Sequence, residues 1–255
     1  MIHESSTIIA EHGGSELMPP RLEIDHWRTE YGVVAGITGA REDFDMALWG
    51  ANHAGRVMSS WHLFQESFKP GFHQFVVGHQ VHGSSVEVCE GVGHGLHVKE
   101  GLDGHATTQP GILLIVLVAD CVPVYMLNPE SKAVVLLHAG WRGTAAGVLE
   151  AGLTQLELFG KTNRHDVVMH CGVSICGKCY EVGPEVIEAT SGRKVDRAEN
   201  LDLRGVLAEQ AGQLGIGRVT TSSWCAAHDE GRFHSHRSNG GRAGRMAAYL
   251  GVPLA

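Results

Sequence analysis

Cys121 and His138 have the side chains best suited to chemistry in this sequence, and each stands beside an apolar run. Residues 112–118 and 122–127 precede and follow Cys121, and a third run over 133–137 leads directly into His138. Because these runs are short, rich in β-branched residues and bounded by turn residues, they are predicted to be buried strands. A hairpin between them would bring the thiolate near the imidazole. The pair is therefore either half of a metal site or a nucleophile with its base.

His82 is the third candidate, in the segment Gln80-Val81-His82-Gly83 after another short predicted strand. Zinc binds imidazole nitrogen and thiolate sulfur readily, and a catalytic zinc keeps its fourth position for water or substrate. All three residues stand at predicted strand ends or tight turns, where side chains converge on a pocket. The residues alone leave a second interpretation open, namely two ordinary histidines and one ordinary buried thiol.

Arginines supply two candidate sites for an anion. Arg142 lies in a glycine-bounded turn ahead of a helix predicted over residues 144–159, and a helix N-terminus of this kind favours phosphate or carboxylate. Arg237, Arg242 and Arg245 cluster near the start of a closing helix predicted over residues 242–250. The alternative is that these arginines are solvated at the surface.

Cys176 and Cys179 belong to a glycine-containing segment that nearly matches a phosphate-binding loop. The position that should carry a magnesium-binding hydroxyl is Cys179, which argues against nucleoside triphosphate binding. The two cysteines also form an isolated Cys-x-x-Cys pair, which is either redox-active or simply a tight turn at a pocket edge. We predict that both are free thiols.

Composition limits the class of protein. The chain has 255 residues, and its 43% hydrophobic content is typical of an ordinary globular protein. The net charge of −8 argues against a general nucleic-acid or membrane-surface binder. An acid near the amino terminus and the absence of an apolar segment there predict no signal peptide, and six cysteines then fit a reducing cytoplasm. We expect residues 1–20 to be a flexible leader and residues 21–255 to form a single α/β (or α+β) domain, a mixed sheet layered with helices.

Several motifs, in order along residues 76–250, resemble those of the laccase-domain family, also called multicopper polyphenol oxidoreductases or peptidoglycan editing factors. The motifs are Gln80-Val-His82-Gly83, Ala119-Asp-Cys121-Val-Pro123-Val, His138-Ala-Gly-Trp-Arg142-Gly143, Cys179-Tyr-Glu-Val182-Gly, Phe233-His-Ser235-His-Arg237 and Gly244-Arg245. The resemblance implies a fold like the cysteine-hydrolase domain of cytotoxic necrotising factors. It also implies that His82, Cys121 and His138 hold the catalytic metal, with Gln80, Arg142, Arg237 and Arg245 at the substrate.

The resemblance allows three chemistries at this site: purine nucleoside phosphorolysis with adenosine deamination, amide hydrolysis that edits peptidoglycan precursors, and copper-dependent polyphenol oxidation. One site of two imidazoles and one thiolate is not the multi-copper array that a laccase needs, and it suits zinc, with copper as the alternative. Zinc with an open position favours hydrolysis or phosphorolysis. We therefore expect a zinc-dependent purine nucleoside phosphorylase and adenosine deaminase, then the amide hydrolase, then the polyphenol oxidase. A non-enzymatic metal-binding module ranks last.

The same interpretation sets the expected partners. They are small-molecule substrates, a nucleoside and phosphate, with no nucleic acid and no membrane. The protein is expected to be a monomer or a weak homo-oligomer in the cytoplasm.

Overall fold

Two seven-stranded mixed sheets lie face to face in the computed structural model, which describes residues 6–14, 19–49, 54–91, 93–229 and 231–255. The strands are β1 (Thr7–Ile9), β2 (His12–Gly14), β3 (Arg21–Glu23), β4 (Val34–Thr38), β5 (Gln74–His79), β6 (Val86–Val88), β7 (Gly95–Glu100), β8 (Gly104–Thr107), β9 (Ile112–Val118), β10 (Val122–Leu127), β11 (Val134–Ala139), β12 (Val168–Cys171), β13 (Glu181–Val182), β14 (Glu199–Asn200), β15 (Arg218–Ser222) and β16 (Met246–Gly251). The helices are α1 (Asp25–Tyr31), α2 (Ala54–Phe68), α3 (Trp141–Ala145), α4 (Val148–Phe159), α5 (Pro184–Ser191) and α6 (Leu203–Gln213).

The strand order places β10 at the centre of the first sheet and β16, the last strand of the chain, at the centre of the second. The first sheet has the order β1-β15-β12-β10-β11-β8-β6, and the second has the order β2-β3-β4-β16-β9-β5-β7. β13 and β14 pair with each other apart from both sheets. Strands β9 and β10 are consecutive in sequence but belong to different sheets, so the chain crosses between the sheets at residues 119–121.

Strand β9 shows why the apolar runs fold as strands with two buried faces. Leu114 and Val116 join the core between the sheets, whereas Leu113 and Ile115 pack with the aromatic residues of α2 on the outer face. Side chains alternate between the faces of a strand, so a continuous apolar run buries both faces. Each such side chain contributes about 1.5–3 kcal/mol to the free energy of folding on burial.

Helices cover the outer face of each sheet. The apolar positions of α2, Val57, Trp61 and Phe64, recur at helical spacing and pack on the second sheet. The apolar positions of α4 and α6 pack on the first sheet. The prediction of a mixed α/β domain layered with helices is confirmed, while the likeness to cytotoxic necrotising factors stays a prediction. None of the helices in the described ranges has the length and apolar character that crossing a lipid bilayer requires.

The predicted hairpin is present. Strands β10 and β11 pair antiparallel, with Pro123 opposite His138 and Val122 opposite Ala139. Cys121 immediately precedes the first of these paired positions, so the hairpin places the thiol beside the histidine.

Two predicted helices differ from the structure. The closing helix predicted over residues 242–250 is wrong, because residues 246–251 form β16 between β4 and β9. Alanine, methionine and leucine favour helix, but this segment is buried along its whole length and pairs on both sides, which overrides local propensity. The helix predicted over residues 144–159 is two helices, α3 and α4, separated at Gly147, whose φ is 80°.

Part of the predicted flexible leader forms strands. Residues 7–9 pair parallel with β15 at the edge of the first sheet, and residues 12–14 pair with β3 at the edge of the second. Residues 1–5 and 15–18 of the predicted leader lie outside the described residues. The division of the chain near residue 20 stays a prediction.

Candidate metal centre and its cavity

The three predicted metal ligands lie together near residues 119–121, where the chain crosses from the second sheet to the first. His82 follows β5 of the second sheet, Cys121 ends the crossing from β9 to β10, and His138 lies in β11 of the first sheet. Their ligand atoms all lie within 4.8 Å of one another. The backbone is strained at two of these turns, since φ is 60° at His82 and 83° at Asp120. Such conformations are uncommon for residues other than glycine and persist where the surrounding structure enforces them.

Asp103, immediately before β8, organises this group. Its fully buried carboxylate accepts hydrogen bonds from the backbone N–H groups of Val81 at 3.2 Å, His82 at 3.0 Å and Gly83 at 2.7 Å. The Nδ1 atom of His138 lies 2.8 Å from the Oδ1 atom of the same carboxylate. A carboxylate only accepts, so Nδ1 carries the proton and Nε2 is left as the donor atom for a metal. Burial would raise the pKa of Asp103, but these hydrogen bonds lower it overall.

Cys121 and His138 stabilise each other as a thiolate and an imidazolium. Burial opposes charge on both groups, yet the attraction of His138 and His82 lowers the pKa of Cys121 to about 6. Cys121 and Asp103 in turn raise the pKa of His138 to about 9. A thiolate near neutral pH is both a metal ligand and a nucleophile. The electrostatics alone therefore leave both chemistries open.

The space around the ligands fits a metal ion. A methyl group added at Gly140 would lie 3.1 Å from the Cys121 sulfur and 3.1 Å from the Cδ2 atom of His82, so only glycine leaves both side chains undisturbed. Two imidazoles and one thiolate match the preference of zinc. Three protein ligands leave one position for water or substrate. The residues present therefore fit a catalytic zinc.

A cavity of about 410 Å³ opens over the three ligands, and its walls carry aromatic rings and arginines. Trp49 stacks on His79 with ring centroids 4.5 Å apart. The guanidinium of Arg142 lies 4.3 Å from the ring centroid of Trp141, and that of Arg237 lies 5.2 Å from the Tyr180 ring. The residues that line the cavity include Leu48, Trp49, His79, Gln80, His82, Leu117, Asp120, Cys121, His138, Gly140, Trp141, Arg142, Ile175, Tyr180, Leu203, His236, Arg237 and Arg245.

The predicted substrate-binding residues all line this cavity, but their hydrogen bonds differ. Gln80 donates to the carbonyl of Leu117 at 2.8 Å and accepts from its N–H at 2.7 Å, which fixes the end of β9. The amide of Gln80 is thus already paired with backbone. Arg142 is exposed in the first turn of α3, one residue after the helix begins rather than ahead of it.

The two later arginines are anchored to backbone oxygens. Arg237 donates to the carbonyl of Glu181 at 2.9 Å, and Arg245 donates to the carbonyl of Ala243 at 2.8 Å. The backbone N–H of Arg237 also donates to the carboxylate of Asp120, the residue before Cys121, at 2.7 Å. Arg242 is exposed and does not line the cavity.

The sequence did not single out three residues of this site. Asp103 lies in a segment predicted to be an irregular Gly- and His-rich loop, and its only sequence signal is an acid directly before a short strand. Trp49 carries no local motif. Tyr180 follows Cys179 in a family motif, but the motif does not reveal that the ring faces the cavity.

Comparisons with known proteins agree with this geometry. A family model described as multi-copper polyphenol oxidoreductase laccase matches residues 30–253. The purine nucleoside phosphorylase YlmD of Geobacillus stearothermophilus is 28% identical over 251 residues, with 86% of this chain and 90% of that protein aligned.

The crystal structure of YlmD from Geobacillus stearothermophilus superimposes with a TM-score of 0.83 at 25% identity, over 97% of this chain and 99% of that one. A protein named adenosine deaminase RL5, from an unknown prokaryotic organism, is 31% identical over 160 residues, which cover 57% of this chain and 60% of that protein. Because the family model spans most of its length, this chain belongs to the multi-copper polyphenol oxidoreductase laccase family.

Proposed function

We propose that this protein is a zinc-dependent purine nucleoside phosphorylase that also deaminates adenosine, with His82, Cys121 and His138 as the zinc ligands. The observation that carries the proposal is a thiolate and two imidazoles that face a cavity with aromatic and arginine walls, with both histidines held by Asp103. Relatives named purine nucleoside phosphorylase and adenosine deaminase support it.

The cavity matches a nucleoside in size and lining. Its volume of about 410 Å³ falls in the range of small-molecule sites. The rings of Trp49 and Tyr180 offer faces on which a purine can stack, and stacking of this kind contributes about 1–3 kcal/mol per base. Arg142, Arg237 and Arg245 can bind phosphate through guanidinium forks.

Phosphorolysis needs few groups from the protein. A phosphate oxygen forms a bond to the ribose C1′ atom as the bond from C1′ to the purine nitrogen breaks, and that nitrogen leaves with the electron pair and takes up a proton. The arginines hold the phosphate and offset its charge, while Asp103 keeps His138 in one tautomer. In deamination, the oxygen of water forms a bond to the purine C6 atom as the bond to the exocyclic nitrogen breaks, and that nitrogen takes up a proton and leaves as ammonia. Bound zinc would supply Lewis acidity and lower the pKa of water.

The products of adenosine distinguish the candidate reactions. Zinc-loaded protein is incubated with adenosine, with and without phosphate, and the products are separated by chromatography. Adenine with ribose 1-phosphate, formed only with phosphate, is the expected result, and inosine shows deamination. If neither forms while an amino acid is released from a muropeptide precursor, the protein is an amide hydrolase instead.

His82→Ala separates the zinc mechanism from a metal-free mechanism in which Cys121 is a nucleophile activated by His138. Loss of a zinc ligand should lower zinc content and rate together. In the metal-free mechanism much of the rate should remain, and alkylation of the thiol should inactivate regardless of metal. The measurement is zinc content by elemental analysis beside the turnover rate. Full activity of metal-stripped wild type would contradict the proposal.

A further inference from the structure

Four more metal-binding side chains converge outside the cavity site. Cys176 and Cys179 lie in the turn after β12, and Cys225 and His228 lie in the turn after β15. Their sulfur and nitrogen atoms all lie within 4.8 Å of one another. The isolated Cys-x-x-Cys pair of the sequence thus has a partner, a Cys-x-x-His pair 49 residues further on.

The distances suit tetrahedral coordination. The Nδ1 atom of His228 lies 3.6 Å from the Cys176 sulfur and 3.3 Å from the Cys179 sulfur. Ligands around a tetrahedral zinc with Zn–S of about 2.3 Å and Zn–N of about 2.0 Å are about 3.5–3.8 Å apart. None of the six cysteines, all within the described ranges, forms a disulfide.

The backbone holds Cys225 in position beside the other three side chains. Its buried sulfur accepts hydrogen bonds from the N–H groups of Cys176 at 3.3 Å and Ala227 at 3.4 Å. The N–H of Cys225 donates to the Asp229 carboxylate at 2.7 Å, which fixes the second turn. Cysteines bind a metal ion as thiolates, and a cation among these four side chains would offset their charge.

We propose that Cys176, Cys179, Cys225 and His228 bind a second zinc ion, and that this zinc is structural. Three thiolates and one imidazole are a typical donor set of structural zinc, and four protein ligands leave no position for substrate. Zinc binding here does not depend on the proposed activity, because this site shares no ligand with the group of His82, Cys121 and His138.

The two turns that the zinc would join also form one wall of the cavity. Tyr180 directly follows Cys179, and Arg237, whose guanidinium lies over the Tyr180 ring, follows the second turn. Ile175, directly before Cys176, donates its N–H to the Asp120 carbonyl at 3.0 Å, next to Cys121. The second zinc would therefore hold this wall in place rather than take part in the reaction.

Zinc content in a variant without the cavity site tests the inference. The background is His82→Ala with Cys121→Ser, purified with zinc and passed over a chelator, and it should keep one zinc per chain. Adding His228→Ala should reduce zinc to near zero, whereas His228→Cys, which restores a fourth ligand, should keep it. His165→Ala, at a remote and exposed histidine, is the matched control and should change nothing.

Substitution of cobalt gives a second readout, since absorption of the bound ion reports thiolate coordination in the folded background protein. The inference is overturned if the folded background holds no zinc or if His228→Ala retains as much zinc as His228→Cys. It is also overturned if thiol titration of unfolded, unreduced wild type finds four cysteines, because the Cys-x-x-Cys pair would then be a disulfide. The wild-type titration does not depend on the folding of any variant.

Discussion

At the scale of single residues, Asp103 connects the elements that carry the candidate ligands. One carboxylate binds the backbone around His82 and the ring of His138, although the first follows a strand of the second sheet and the other lies in a strand of the first. It thereby fixes both the position of one ligand and the tautomer of another. Groups that hold a metal-binding histidine in this way are worth about 10–100-fold in metal affinity.

Asp103→Asn should therefore weaken zinc binding at the cavity site by about 10–100-fold. The amide keeps the shape of the carboxylate but accepts through one oxygen only. Val81 and Gly83 donate to Oδ2, whereas His82 and His138 use Oδ1, so one of these two pairs loses its acceptor. Competition with a chromogenic chelator measures the affinity. Asp166→Asn, at an exposed aspartate remote from both clusters, is the control and should leave the affinity unchanged. Unchanged affinity in Asp103→Asn would show that the carboxylate only stabilises the fold.

Arg142→Lys addresses phosphate binding. The lysine keeps the charge but loses the two-pronged donor geometry and the packing of the guanidinium against Trp141. Phosphate-dependent turnover should fall at least ~10-fold, which corresponds to about 1.4 kcal/mol of transition-state stabilisation. Kinetics at sub-saturating phosphate measure the effect. Identical rates for the two proteins would place Arg142 among ordinary surface residues.

At the scale of elements, the sequence predicts strands that have a strong local pattern, but it does not predict pairings between distant strands. Strands β9, β10 and β11 follow from continuous apolar runs, and the hairpin follows from the turn between them. The pairing of β16 between β4 and β9 needs partners more than 100 residues away, so local propensity suggested a helix instead. Asp103 and the Cys225 turn were missed for the same reason, since only the sheets bring them to their partners.

Gly147 separates α3, which carries Arg142, from α4. Its φ of 80° is left-handed and nothing lies within 4 Å of an added methyl, so Gly147→Ala tests backbone conformation alone. The substitution should lower the free energy of unfolding by about 1–2 kcal/mol. Gly55→Ala, in α2 with equally open surroundings, should instead raise it by about 0.5 kcal/mol. Chemical denaturation of the three proteins measures both changes, and equal stability of the two variants would contradict the interpretation.

At the scale of the whole molecule, residues 7–14 hold the two sheets together at one edge. Strand β1 extends the first sheet and β2 extends the second, and Glu11 lies between them. The buried Glu11 carboxylate lies 3.1 Å from the Nε2 atom of His170 and accepts a hydrogen bond from the Ser222 hydroxyl at 2.6 Å. The edge of the molecule is therefore closed by a buried polar contact of the Glu11 carboxylate with His170 and Ser222.

This contact makes stability depend on pH. Burial would raise the pKa of Glu11, but the hydrogen bonds from His170 and Ser222 and the charge of His170 lower it below 4.5 overall. A carboxyl group with a lowered pKa in the folded state stabilises the protein above its unfolded pKa. That contribution is lost as the pH falls through the folded value.

Glu11→Gln should accordingly lower the free energy of unfolding by about 2 kcal/mol at neutral pH, the usual contribution of hydrogen bonds to a charged group. The difference from wild type should shrink below pH 4.5, where the unfolded chain takes up the proton, and approach a minimum once the folded carboxyl is protonated. Denaturant titrations at several pH values measure this difference. Glu157→Gln, which removes a surface pair with Arg164, should change stability by only about 0.5 kcal/mol. If the difference in the free energy of unfolding between wild type and Glu11→Gln stays constant across the acid range, the charge of Glu11 does not contribute to stability. The packing of its side chain at the sheet edge would then account for the difference.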